Sequence, residues 1–164
     1  MRIEEVVLSD YENIVKLNQR NNITSLKKND WENIWNKNPF LLESKIPWKL
    51  GWKLINTETL LVGVILNIPL IFKYQGINYL AAVCNNYVID KEFRSFSLKL
   101  RHLFLNQNEI DLYITNTANE KSQEIMEAFK AKKINQYDYQ NRLVFILKKS
   151  KIFFKLLKNV NLIF

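Results

Sequence analysis

Apolar residues recur along this chain with two periods, and the change between them divides it into elements. "IEEVV" (3–7) reads as a short first strand. Ser9 stands three residues before Glu12, and Tyr11, Ile14 and Leu17 follow at helical spacing, which predicts a capping box and a first helix. Asn29 and Glu32 repeat that arrangement around Trp31, Ile34 and Trp35, predicting a second helix that Asn38-Pro39 ends. From Gly51 the period becomes that of strands. "GWKLI" (51–55), "LLVGVILNI" (60–68) and "YLAAVCNNYVI" (79–89), separated by the turns "NTET" and "YQGIN", predict a three-stranded antiparallel meander. Asn85-Asn86 interrupts the last apolar run and reads either as a bulge or as two ordinary strand asparagines. Phe93, Phe96, Leu100, Leu103 and Phe104 then mark one face of a helix, and "DLYIT" (111–115) a further strand. Thr117 and Glu120 form a third capping box before a helix with Ile125, Met126 and Phe129 facing inward, and "RLVFIL" (142–147) is the last strand.

The resulting order is β-α-α-β-β-β-α-β-α-β. It predicts an α+β (mixed α/β) domain with one central mixed, mostly antiparallel sheet flanked by helices. The helix between strands 79–89 and 111–115 is long enough to act as a crossover, so those two strands are expected to run parallel. Ligands of such sheets lie outside the carboxyl ends of the strands, and "YVIDKEFRSF" (87–96) occupies such an end. A helix that starts there leaves N–H groups without partners, which suits a phosphate.

Composition narrows the picture. A chain of 164 residues with 48% apolar and 24% charged residues is expected to fold as a globular domain. One cysteine, Cys84, and one histidine, His102, leave no internal disulfide framework and no Cys/His zinc cluster, so no metal is expected. With no signal-peptide pattern in "MRIEEVVLSD" and no apolar run of spanning length, a cytoplasmic protein is expected. The net charge of +8 is concentrated at one end. "KKSKIFFKLLKNVNLIF" (148–164) holds five lysines and no acid, so residues 1–147 carry 19 basic against 16 acidic residues, or +3. Lysine also outnumbers arginine 19 to 5. Nucleic acid is therefore not expected as the main partner.

"NYVIDKEFRSFSLKL" (86–100) and "LYITNTANEKSQEIMEAF" (112–129), in this order and with the Asp90-x-x-Phe93-Arg94 corner, resemble the GNAT superfamily of CoA-dependent acyltransferases. The first stretch is similar to the family's fourth strand, turn and pyrophosphate-binding helix, and the second to its fifth strand and following helix. The resemblance covers residues 1–147 and leaves 148–164 as a basic C-terminal extension. It implies acetyl-CoA, or another acyl-CoA, as cosubstrate and an amine or similar group as acceptor. It also implies that Tyr87, Val88 and Ile89 line the pantetheine arm through their backbone, with strands four and five splayed to admit the thioester. Asn119 falls where the family often has an asparagine near a helix start. The phosphate loop would be Arg94, Ser95, Phe96, Ser97, Leu98 and Lys99. The family places glycines where this chain has Ser95, Ser97 and Lys99, a departure that puts tight CoA binding in question. The tyrosine that protonates the leaving thiolate in many relatives is matched here by Phe129, with Tyr137 and Tyr139 as substitutes or as packing residues.

No catalytic residue is therefore assigned. Cys84 is expected as a small core residue and, in the alternative, as a nucleophile. His102 is expected at the surface. Trp31, Trp35, Trp48 and Trp52 cluster in 31–52 and read as a helical layer on the sheet or as an aromatic acceptor pocket. The same residues leave a second reading open, a non-catalytic module that binds CoA or another anion. In a helical tail, Ile152, Phe153, Leu156, Leu157, Val160 and Phe164 would gather opposite Lys151, Lys155 and Lys158. Such a face fits docking on the core, on a second subunit as a homodimer, or on an anionic membrane surface.

Overall fold

The computed structural model describes residues 1–115 and Ala131. The chain divides into two units, Met1–Ser122 and Gln123–Phe164, and every described element belongs to the first. The predicted elements after residue 115, with Asn119, Phe129, Tyr137, Tyr139 and the 148–164 tail, lie outside the described residues.

Five strands, β1 (Arg2–Glu5), β2 (Gly51–Ile55), β3 (Leu61–Tyr74), β4 (Ile77–Ile89) and β5 (Leu112–Thr115), form one sheet in chain order. The pairs from β1 to β4 are antiparallel, and β5 joins β4 in parallel, Ala81 opposite Leu112 and Cys84 opposite Thr115. The helices are α1 (Tyr11–Arg20), α2 (Lys28–Asn36), α3 (Pro39–Glu43) and α4 (Ser97–Leu105), with 3-10 turns at Leu8–Asp10 and Lys91–Phe96. This is the α+β sheet-and-helix architecture that the periodicity predicts.

Two cores lie on the two faces of the sheet. Ile14 and Leu17 of α1 and Trp31 and Trp35 of α2 pack with Leu61, Val64, Leu66 and Val88. Leu100 and Phe104 of α4 pack on the opposite face with Trp52, Leu54, Ile65, Cys84 and Ile89. Helices cover both faces, so β2 is buried along its whole length.

Several local expectations are corrected. Ser9 and Asn29 do not cap, because each sits inside a helical turn rather than before it: Ser9 in the 3-10 turn, Asn29 as the second residue of α2. The first turn is fastened instead by Asp10, whose Oδ2 accepts the Val7 N–H at 2.8 Å. Asn38-Pro39 ends α2 but also starts α3, with Asn38 Oδ1 accepting from the Phe40 N–H at 3.0 Å and proline in the first helical position. Phe93 and Phe96 belong to a 3-10 turn, and the α-helix proper begins at Ser97. Strand β3 runs to Tyr74 through Pro69. Proline is tolerated because β2 pairs only with Leu61–Leu66, so beyond Leu66 that side of β3 has no β2 ladder to lose.

Candidate functional site

Of the two readings of Asn85-Asn86, the bulge is the one present. Val64 pairs with Val88 and Leu66 with Asn85, so Asn86 and Tyr87 together face the single residue Ile65. Asn86 takes φ +46°, a left-handed conformation that asparagine tolerates better than most residues. Bending β4 here opens a cleft of about 460 Å³ above Asn85–Val88 and Leu66. One wall is α1, through Tyr11, Ile14, Val15 and Asn18, and another is Trp31 of α2.

The third wall is the loop 23–26, which three hydrogen bonds fold back on α1. The Ile23 N–H donates to the Asn18 carbonyl at 2.9 Å, Asn18 Nδ2 to Ser25 Oγ at 3.0 Å, and Tyr11 Oη to the Leu26 carbonyl at 2.9 Å. Asn22, at φ +56°, makes the reversal.

From the cleft floor β4 runs directly into the corner that starts α4. Asp90 holds this corner to the end of α1: its Oδ2 accepts from Arg20 Nη2 and its Oδ1 from Asn21 Nδ2, both at 2.7 Å. Arg20 also donates to the Leu61 carbonyl at 2.8 Å. Asp90→Ala removes two charge-assisted bonds, so about 2 kcal/mol of stability should be lost, and Asp90→Asn should lose less. Chemical denaturation of the three proteins measures it, and equal midpoints would contradict the clamp.

The sequence-predicted loop residues lie together on this corner. Arg94 and Ser95 are exposed in the 3-10 turn, with Phe96 and Ser97 half-buried and Leu98 and Lys99 exposed in the first turn of α4. Lys99 Nζ sits 5.2 Å over the Phe96 ring. No residue from Asp90 to Lys99 has a positive φ, so the backbone here does not require glycine. Serine Cβ groups at 95 and 97 narrow the approach to the backbone without blocking it by conformation. Tyr87, Val88 and Ile89 follow the bulge. Val88 and Ile89 are buried on opposite faces, and the half-buried Tyr87 donates its hydroxyl to the Ser97 carbonyl at 2.8 Å, tying β4 to α4.

Arg101, beside His102 on α4, carries no expectation from the sequence. It is 2% exposed, with its guanidinium 4.7 Å from the Tyr87 ring centroid. Burial raises the Tyr87 pKa and the Arg101 charge partly offsets this, so the phenol stays a hydrogen-bond donor. Burial likewise pushes the Cys84 thiol up to about 11, against the Arg101 charge and a hydrogen bond with Thr115. Cys84 is a core residue, 1% exposed, as expected, and its burial disfavours the thiolate that a nucleophile needs. His102 is exposed beside Asn106, as expected.

The four tryptophans do not converge. Trp31 lines the cleft, Trp35 is buried behind it, Trp52 belongs to the opposite core, and Trp48 donates to the Asn67 carbonyl at 2.8 Å. Asn18, with the pattern Ile14, Leu17, Asn18, and Arg101, with Leu100, Arg101, Phe104, were legible only as polar residues on an apolar helix face.

No protein-family model and no curated protein sequence matches this chain, but solved structures do. An acetyltransferase of Trypanosoma brucei superposes with a TM-score of 0.59 at 13% identity, over 89% of this chain and 99% of its own. Glucosamine-6-phosphate N-acetyltransferase of Arabidopsis thaliana gives 0.57 at 11%, over 90% and 98%. A predicted acetyltransferase of Clostridium acetobutylicum, solved with acetyl-CoA, gives 0.62 at 10%, over 82% and 92%. The chain has the GNAT acetyltransferase fold. At these identities the likeness is one of fold. Within a GNAT fold the bulged β4, its parallel neighbour β5 and the helix that starts at the corner are the elements picked out above from the sequence. Among the described residues, no group of acidic, cysteine or histidine side chains is placed to hold a metal, and no helix is long and apolar enough to cross a membrane.

Proposed function

We propose that the protein transfers an acyl group, acetyl in the simplest case, from acyl-CoA to an amine bound in the cleft over β4. The observation that carries this reading is continuity: the strand segment Asn85–Val88 that floors the cleft leads within a few residues into the exposed helical corner Arg94–Lys99. A ligand with a pyrophosphate on that corner and a thioester at the bulge would present its acyl carbon to the cleft. The acetyltransferase neighbours support the same reading.

In this assignment the backbone N–H groups of the first turn of α4, with Arg94 and Lys99 adding positive charge, hold the pyrophosphate. Backbone groups of Tyr87, Val88 and Ile89 run beside the pantetheine arm, and Asn119 is assigned to the cosubstrate by resemblance alone. Bound acyl-CoA supplies the activated carbonyl. The neutral amine attacks it, a C–N bond forms, the C–S bond breaks, the departing thiolate takes up a proton and the amine gives one to water. Among the described residues lining the cleft there is no carboxylate or histidine. The two tyrosine hydroxyls there already donate to the Leu26 and Ser97 carbonyls. The contribution assigned to this chain is therefore positioning rather than proton transfer by a dedicated base.

Calorimetric titration of acetyl-CoA tests this. Micromolar binding, about −8 kcal/mol, is expected, and Arg94→Glu should weaken it at least tenfold. No binding to a folded sample, or equal binding by the variant, would overturn the phosphate assignment. The absence of an acid–base group among the described cleft residues also favours a second reading, a module that binds CoA without turnover. Tight binding with no CoA released in the presence of any amine would select it.

A further inference from the structure

The cleft narrows the chemistry of the acceptor, an inference that rests on its assignment as the amine site. None of the described residues lining it is charged. An acceptor bearing a phosphate, a carboxylate or several ammonium groups would lose hydration there and meet no opposite charge from the described walls. Ile14, Val15, Leu66 and Trp31 offer instead an aliphatic and aromatic surface.

One polar atom in this wall is unaccounted for. Asn18 is 2% exposed and its Nδ2 is committed to Ser25, yet its Oδ1 has no hydrogen-bond partner among the described residues. A buried acceptor without a donor carries a desolvation penalty, and native proteins keep few of them. Its neighbours on the same face of α1, Ile14 and Leu17, are apolar, so an aliphatic residue at position 18 would pack without that penalty. The Nδ2 bond to Ser25 accounts for half of the amide, and a ligand that donates a hydrogen to Oδ1 would satisfy the half that this bond leaves over.

We propose that the acceptor is a small primary amine on an uncharged aromatic or aliphatic body, and that Asn18 Oδ1 accepts one of its N–H hydrogens. Asn18 is then a specificity-determining residue. The cleft volume of about 460 Å³ lies in the range of small-molecule sites.

The test uses the full chain and two independent readouts, CoA release from acetyl-CoA and calorimetric binding of each amine alone. The probes are phenethylamine, spermidine and glucosamine 6-phosphate. Phenethylamine should bind, and its kcat/KM should exceed that of either charged amine at least tenfold. Asn18→Leu loses the Ser25 bond together with the unpaired oxygen, so its melting temperature should stay level while kcat/KM for phenethylamine falls about tenfold. Asn18→Asp, which adds a charge to the same wall, should shift preference toward spermidine.

CoA release with the charged amines but not with phenethylamine would overturn the acceptor class and leave the transferase reading standing. Binding of phenethylamine without CoA release would do the reverse. Binding of none of the three amines, or an unchanged preference in both variants, would overturn the role given to Asn18.

Discussion

Gly51→Ala should cost about 4 kcal/mol or more. Gly51 opens β2 at φ +149°, and a Cβ there would stand 2.2 Å from the Ile65 carbonyl oxygen and 2.9 Å from the Leu66 Cα. Both atoms are backbone of the paired strand, so no side chain can swing aside. The ladder is pinned around the clash as well: Gly51 pairs with Leu66, the Asn67 N–H donates to the Leu50 carbonyl at 2.9 Å, and the Val6 N–H donates to the Gly51 carbonyl at 3.0 Å. Relief would have to separate β2 from β3 in the middle of the sheet. Set against a typical domain stability of about 5–15 kcal/mol, the loss should appear as a melting temperature lower by about 10 °C or more, or as failure to accumulate folded protein. Gly76→Ala is the control. Gly76 sits at φ +82° in the β3–β4 turn with nothing within 4 Å of the added methyl, so only conformational strain of about 1 kcal/mol is expected. Equal melting of the two variants would show that β2 shifts freely, against the packing described.

Lys53→Met should cost about 3–5 kcal/mol. Lys53 and Asp10 are 8% and 7% exposed, and Nζ reaches both Asp10 oxygens at 2.8 Å, with Glu4 a further 3.7 Å contact. Removing the ammonium leaves a buried carboxylate with the Val7 N–H as its remaining short-range donor among these contacts. The magnitude comes from that stranded charge rather than from the attraction of the pair. Lys53→Met with Asp10→Leu should accordingly recover more than half of the loss, because the second substitution removes the stranded group. A double-mutant cycle by chemical denaturation reads the coupling. Strictly additive losses would contradict it.

Both residues bear on what was readable beforehand. The meander was legible because β2, β3 and β4 carry largely apolar runs separated by turn residues, and strand pairing across short turns is a local matter. The bulge was legible as one of two readings because two adjacent asparagines break an apolar run. The parallel β5 followed from the length of the crossover, since a right-handed return needs a helix between the strands. The corner Asp90–Arg94 stood out by its resemblance to a known family.

The two unfulfilled capping boxes fail for a physical reason. A side chain caps only where the backbone is extended just before the helix, and at Ser9 and Asn29 helical turns had already begun. The predicted strand stopped at Ile68 while β3 runs on to Tyr74, because the absence of a β2 partner beyond Leu66 is a property of the sheet, not of residues 60–74. In the site the same distinction separates the loop from the cleft. Arg94–Lys99 is contiguous in sequence and was named in full. The cleft joins residues 11–18, 31, 66 and 85–88, and its loop wall is closed by bonds from α1.

By itself, the sequence determined, up to residue 115, the strands, the helices α1, α2 and α4 and their order, but not α3, because each of these depends on periodicity or on neighbours within a few residues. Only the tertiary structure decided that Asn18 is buried with an unpaired oxygen, that Asp90 receives Arg20 and Asn21, that Lys53 meets Asp10, and that Arg101 lies under Tyr87. Each of these joins groups far apart in the chain. Whether a polar side chain is paired, stranded or aimed at a ligand depends on what the fold brings against it, and an isolated stretch of sequence carries no record of that neighbour.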